Sequence, residues 1–240
     1  MYDYRYALDA TLRGDLSSQF GGDTDMAPFW SFGVRWNAHK EKFIENLGWI
    51  SNLVLRANLG TTGSQNYEPY QAKETYSFED LLFMYESSDV MGAQMMALGN
   101  PELGWSTTKS RSVAFEIGVW QDRLSASFQY YNNLTDEMLQ DYNIAPSSGF
   151  TSIVMNLGSV RNEGYEITLN AVPINDYQRG MQWSVYFNGS HNRNVIENIS
   201  NELEALNAEN LKAGSGAPLP VYQEGESTSQ LWVVRSLGID

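Results

Sequence analysis

The chain of 240 residues contains no cysteine, which excludes a disulfide framework and any thiolate-ligated metal site. Histidine is almost absent as well. His39 and His191 lie far apart, and neither has a metal-ligand residue three or four positions on, so no imidazole-based centre is expected. Basic residues are few: 15 Lys and Arg against 29 Asp and Glu, a net charge of −14. Nucleic-acid binding needs a basic surface to neutralise phosphates, so a nucleic-acid partner is excluded. No apolar run approaches the roughly 18 residues of a transmembrane helix, although strands of a membrane barrel show only every second residue to lipid. A strand pattern starts at Tyr2, so residues 1–240 are not expected to include a charged and apolar leader. A chain that begins mid-sheet is expected to be a piece of a longer protein. No P-loop, nucleophile elbow or dinucleotide fingerprint occurs, and the paired acids Glu202 and Glu204 sit in a charge-rich stretch that reads as a solvated face. The chain is therefore not expected to be an enzyme or to hold a cofactor or metal.

What the sequence has in abundance is alternation. Hydrophobic residues make up 42% and aromatics 13%, yet long apolar runs are missing. Tyr2, Tyr4, Tyr6, Leu8, Ala10 and Leu12 alternate with Asp3, Arg5, Ala7, Asp9, Thr11 and Arg13. A period of two predicts a strand with one apolar and one polar face. About 12 residues at roughly 3.3 Å each is long for a soluble strand and suits a tilted membrane crossing. The pattern recurs at residues 29–37, 53–60, 113–120, 124–131, 165–170, 183–188 and 231–236, about eight strands in all. Gln121-Asp122-Arg123 joins two of them as a tight hairpin. Residues 39–45 and 200–211 read as helical, as does a short stretch near 78–85. Residues 132–155 read as turn-rich, 173–180 as a turn and 194–229 as a long acidic loop.

Connection lengths also alternate: from the third onward, every second one is short. An up-and-down barrel in an outer membrane has short periplasmic turns and long extracellular loops. Arg or Lys facing lipid at mid-bilayer costs roughly 2–4 kcal/mol. The charged parity (Asp3, Arg5, Asp9, Arg13, Arg35, Arg56, Glu116, Glu166) is therefore assigned to a wet lumen and the apolar parity to lipid. Arg161 and Glu163 share parity with lipid-facing Tyr165. They are expected either beyond the bilayer or past a bulge that switches parity.

Four segments resemble one family. Asn100-Pro101-Glu102-Leu103-Gly104-Trp105 is similar to the N-P-x-L-x-W segment of SusC/RagA-type TonB-dependent outer-membrane transporters of Bacteroidetes. The run from Asn156 through Gly158, Asn162 and Gly164 to Glu166 resembles their N-x-G-x-V-x-N-x-G-x-E segment. Residues 12–21 resemble their R-x-D-G-S-S-x-F-G loop, and residues 56–65 their R-x-S-x-G-x-T-G-x-Q segment. Ser106 stands where the family usually has Glu, Asn58 where it has Ser, and Gly14-Asp15-Leu16 departs from the usual loop. The family-motif positions Asn100, Pro101, Leu103, Trp105, Asn156, Gly158, Asn162, Gly164 and Glu166 read as structural.

The resemblance implies an all-β, antiparallel up-and-down transmembrane β-barrel segment with long extracellular loops. In this chain it would be an open curved sheet, with the plug, the N-terminal extension and the final strands absent from residues 1–240. It implies import of oligosaccharide or peptide across a Gram-negative outer membrane. Expected partners are a SusD-like lipoprotein, the TonB-ExbB-ExbD system acting through the plug, outer-membrane lipid and the substrate. Tyr67, Tyr70, Tyr76 and Tyr85 are candidate loop contacts to substrate. The alternatives are a soluble β-sandwich carbohydrate-binding module and, more remotely, a β-rich hydrolase.

Overall fold

A computed structural model describes residues 1–17, 26–65, 69–80, 91–101, 103–144, 146–156, 158–176, 178–212 and 221–230. The strands are β1 (Tyr6–Asp15), β2 (Ala27–Asn37), β3 (Ile50–Ser64), β4 (Thr75–Asp80), β5 (Met91–Ala97), β6 (Ser106–Val119), β7 (Leu124–Asp136), β8 (Leu139–Asn143), β9 (Ser152–Asn156), β10 (Gly158–Asp176) and β11 (Met181–Ile199). Two helices, α1 (Lys42–Glu45) and α2 (Asn201–Lys212), match the two helical stretches expected near 39–45 and 200–211. Seven strands form one antiparallel sheet in the order β1-β2-β3-β6-β7-β10-β11. The pairs β4–β5 and β8–β9 are separate ribbons inserted in the long connections. β1 and β11 are the two edges and do not pair with each other, so the described sheet is open. The stretch 231–236, expected as an eighth strand, lies outside the described residues.

The sheet corrects several sequence expectations. The first strand starts at Tyr6 rather than Tyr2. Asp3 and Tyr4 take positive φ (47° and 53°), and the Tyr2 carbonyl accepts the Arg5 and Tyr6 amides, so the chain reverses there. Phe78 belongs to β4, not to a helix; residues 81–85 of that expectation are outside the described residues. Residues 132–155 are not mainly turn, since β7 runs on to Asp136 and β8–β9 forms a hairpin. Pro173 sits inside β10, where the register slips between Ala171 and Ile174. A bulge tolerates a residue without an N–H, and the turn itself comes later, at Gly180 with φ 65°. β11 continues to Ile199, past the point where alternation fades.

The register shows which residues share a face. Tyr6, Trp36, Leu55, Phe115, Phe128, Ile167 and Gly189 stand opposite one another across the seven strands. The next row on that face is Leu8, Val34, Ala57, Val113, Tyr130, Tyr165 and His191. Among the described residues no layer covers these apolar side chains: Leu8, Phe32, Val113, Phe128, Leu169 and Phe187 are between 40% and 67% exposed. Few hydrophobics are buried, among them Phe29, Val54, Leu103, Val160 and Ile196. A β-sandwich would bury the apolar face under a second sheet at about 10 Å, and this fold does not.

Strand direction places connections 38–49, 120–123 and 177–180 at one end of the sheet. Connections 16–26, 65–105 and 137–157 lie at the other, together with α2. The two longest excursions, 65–105 and 137–157, are thus at one end and the two shortest turns, 120–123 and 177–180, at the other, while 16–26 and 38–49 are of similar length.

Candidate functional site

The polar face and the long-loop end carry the features that sequence reading singled out. Phe29 is an apolar residue on the polar parity of β2, and it is 4% exposed. Its ring takes the edge of Trp105 at 5.6 Å between centroids and 73° between planes. The Arg13 guanidinium lies 5.8 Å from its centroid, within range of a cation–π contact. On its remaining side is Gly63, where any Cβ would run into the Phe29 ring. Arg13, Gly63 and Trp105 come from three different motif segments, and Phe29 draws them together. The sequence marked Phe29 only as the start of a strand.

The N-P-x-L-x-W segment works as a tie. The Asn100 amide donates to Gln71 O at 3.0 Å, and its side-chain Nδ2 donates to Val154 O at 2.9 Å. Leu103 N–H donates back to Asn100 O at 3.2 Å, and Asn100 and Leu103 are buried while Pro101 is exposed at the turn. The base of the β4–β5 ribbon is thereby fastened to β9. Ser106, where the family usually has Glu, is buried and donates to Asp136 O at 3.3 Å.

In the second motif Asn156 pairs with Leu139 in the β8–β9 ribbon. Gly158 holds φ 142°, and a Cβ there would meet the Asn198 carbonyl. A Cβ at Gly164 would collide with His191 O and with the Tyr131 hydroxyl, which donates to Asn192 Oδ1 at 3.1 Å. Both glycines serve close backbone approach. Asn162 Oδ1 is buried without a hydrogen-bond partner among the described residues. Glu166 is exposed on the polar face, opposite Gln129 and Ser190. No register shift separates Val160 from Ala171, so Arg161 and Glu163 stay on the face of Tyr165. The bulge alternative is excluded; these charges lie further along the same face.

Of the four candidate contact tyrosines, Tyr67 and Tyr85 fall outside the described residues. Tyr70 is 69% exposed with φ 72°. Tyr76 is 49% exposed and donates to Glu74 Oε2 at 2.7 Å, which raises its hydroxyl pKa above the ordinary 10.0. Both lie on the excursion between β3 and β6, at the long-loop end. On the polar wall, Arg56 is ion-paired with Glu116. Arg35 stands opposite Arg56 and donates to Asn37 Oδ1 at 2.9 Å. Asp9 covers Gly33.

The short-turn end has a knot that the sequence did not reveal. Glu41 Oε1 accepts the Tyr6 hydroxyl at 2.6 Å and the Trp36 indole N–H at 3.4 Å, and Oε2 faces Arg5 at 3.4 Å. The Tyr6 hydrogen bond, chiefly, holds the Glu41 carboxyl below its ordinary 4.5. Among the described residues no three His, Asp or Glu side chains gather as a metal site, and no helix is long and apolar enough to cross a membrane.

Comparison with known proteins places this geometry. Residues 2–221 match the family model described as TonB dependent receptor-like, beta-barrel. A TonB-dependent receptor of Formosa agariphila is 30% identical over 240 residues, covering 99% of this chain and 22% of the relative. The TonB-dependent receptor SusC of Bacteroides thetaiotaomicron is 23% identical, covering 97% of this chain and 24% of the relative. Among solved structures, the RagAB peptide importer in its closed-closed state aligns with a TM-score of 0.73 and 29% identity. That alignment covers 81% of this chain and 21% of the other. The chain thus spans about one fifth of the length of the relatives it matches.

Proposed function

Because this chain belongs to the TonB-dependent receptor family, in its β-barrel domain, we propose that it forms part of the wall of an outer-membrane nutrient importer. The observation that carries the proposal is the uncovered apolar face set against a charged opposite face. Placing Asp9, Arg35, Arg56, Glu116 and Glu166 in lipid would cost several kcal/mol, since one mid-bilayer Arg alone costs roughly 2–4 kcal/mol. The reverse placement exposes Leu8, Phe32, Phe128, Leu169 and Phe187 to lipid at no such cost. Tyr6 and Trp36 stand at the short-turn margin, and Tyr130 and Tyr165 where charge begins, as aromatic girdles require. The short turns then face the periplasm and the long loops the exterior.

Residues 1–240 are read as part of the barrel domain, with plug, N-terminal extension and closing strands supplied elsewhere in the complete protein. The wall itself transports nothing; energy is expected through TonB, ExbB and ExbD acting on the plug. The substrate class is oligosaccharide or peptide, and a SusD-like lipoprotein is the expected cap on the loop end. The likeness to a peptide importer supports the peptide reading. Tyr67, Tyr70, Tyr76 and Tyr85 are the proposed loop contacts, with aromatic faces suited to stacking on sugar or peptide groups. The motif glycines, Asn100 and Trp105 are assigned to loop architecture rather than to substrate.

The test is fractionation and uptake with the complete protein. It is expected in the outer-membrane fraction, and cells lacking it are expected to lose uptake of one labelled oligosaccharide or peptide pool. Recovery in the soluble periplasmic fraction would overturn the reading in favour of a soluble binding module.

A further inference from the structure

Above the apolar band, the lipid-side face of β6–β11 becomes charged. The row that begins Ala10, Phe32 and Leu59 continues as Arg111, Asn132, Glu163 and Arg193. The next row toward the loop end carries Lys109, Leu134, Arg161 and Val195. Hydrogen-bonded rows run perpendicular to the strands, and barrel strands tilt by about 35–45°, so a single row climbs out of the bilayer as it crosses the sheet. The switch from Leu59 to Arg111 marks where it emerges. These charges therefore sit at headgroup level, directly above Val113, Tyr130 and Tyr165.

Four cations and three carboxylates face outward there. Lys109 pairs with Asp136 at 2.6 Å, Arg161 with Glu197, and Arg193 with Glu163 at 3.8 Å. Arg111 is exposed and has no carboxylate within 4.0 Å among the described residues. With four cations and three carboxylates the patch is net positive, on a chain of net charge −14. A long, exposed guanidinium at the interface suits bidentate contact with phosphate.

We infer that the outward collar of Lys109, Arg111, Arg161 and Arg193 binds a net-anionic lipid headgroup of the outer leaflet that carries phosphate monoesters, as lipid A does and zwitterionic phosphatidylcholine does not, with Arg111 as its free cation. The inference rests on the barrel reading above. Exposed ion pairs contribute little, so a phosphate can displace the partners of Lys109 and Arg193 at small cost.

The test uses the complete protein in phosphatidylcholine nanodiscs with or without lipid A, read by native mass spectrometry of retained lipid. Arg111→Gln is expected to weaken lipid A retention about fivefold, and Arg111→Gln with Arg193→Gln further by a similar factor, at about 1 kcal/mol per interfacial cation. Lys42→Gln makes the same charge change at the opposite end and is expected to leave retention unaltered. Heat-modifiable gel mobility reports separately whether each variant is a folded barrel, so failure of the barrel reading is distinguishable from failure of the lipid site. Unchanged retention in a folded double variant would overturn the inference. So would equal retention of phosphatidylcholine, or displacement of lipid A by equimolar inorganic phosphate, which would mark a free-anion site.

Discussion

At the scale of single residues, two clusters hold opposite ends of the wall. At the loop end, Phe29 fills the space that Gly63 leaves and receives Arg13 and Trp105. Gly63→Val overpacks that ring, and such overpacking costs roughly 1–3 kcal/mol. The folded fraction of the complete protein, read by heat-modifiable mobility, is expected to fall. Adding Phe29→Leu is expected to restore part of it, because the two changes share one space. At the turn end, Glu41 joins Tyr6, Trp36 and Arg5. Its carboxyl titrates below the ordinary 4.5 in the folded state. A depressed folded pKa contributes stability that is present above the unfolded value and lost as pH falls through the folded one. Glu41→Gln should therefore lower the urea midpoint near neutrality, with the gap to the parent closing between roughly pH 5 and pH 3. A gap that persists at the acid end would contradict the role given to the carboxylate.

At the scale of elements, legibility followed the contrast between two solvents. On the proposed placement, strands are legible where one face meets lipid and the other water, because there polarity alternates. The pairs Ile117–Ala126 and Phe115–Phe128 show this contrast in full. Beyond the band both faces are polar, so Gly189–Glu197 has no alternation and β11 from Asn194 onward reads as loop. The ribbons β4–β5 and β8–β9 were missed for the same reason, and Tyr2–Tyr6 misled because its alternation belongs to a turn with two positive-φ residues. The motif positions were legible by resemblance, but their meeting point at Phe29 was not, since no local pattern encodes a contact between distant strands. The same contrast predicts mutational asymmetry within β7. Phe128→Arg is expected to cost roughly 2–4 kcal/mol of barrel stability, whereas neighbouring Ser127→Arg, facing the lumen, is expected to be nearly neutral. Urea titration of the two variants in lipid vesicles checks this, and equal destabilisation would remove the face assignment.

At the scale of the whole molecule, the seven-strand sheet has, among the described residues, two open edges and no layer over its apolar face. Exposed edges and an extended apolar surface are liabilities in water, and they become joints and lipid contacts in a larger closed barrel. The chain's span of about one fifth of its relatives is in keeping with that. The central claim is that odd-numbered residues of β10 around Ile167 face lipid and even-numbered ones face a wet lumen. This stretch carries no cysteine, so single-cysteine spin labels introduced at positions 165–170 of the complete membrane-embedded protein, in a background free of other cysteines, would report each position separately. Labels at 165, 167 and 169 are expected to be accessible to oxygen and shielded from a water-soluble nickel chelate, and those at 166, 168 and 170 the reverse. Uniform accessibility across the six positions, or an inverted parity, would contradict it.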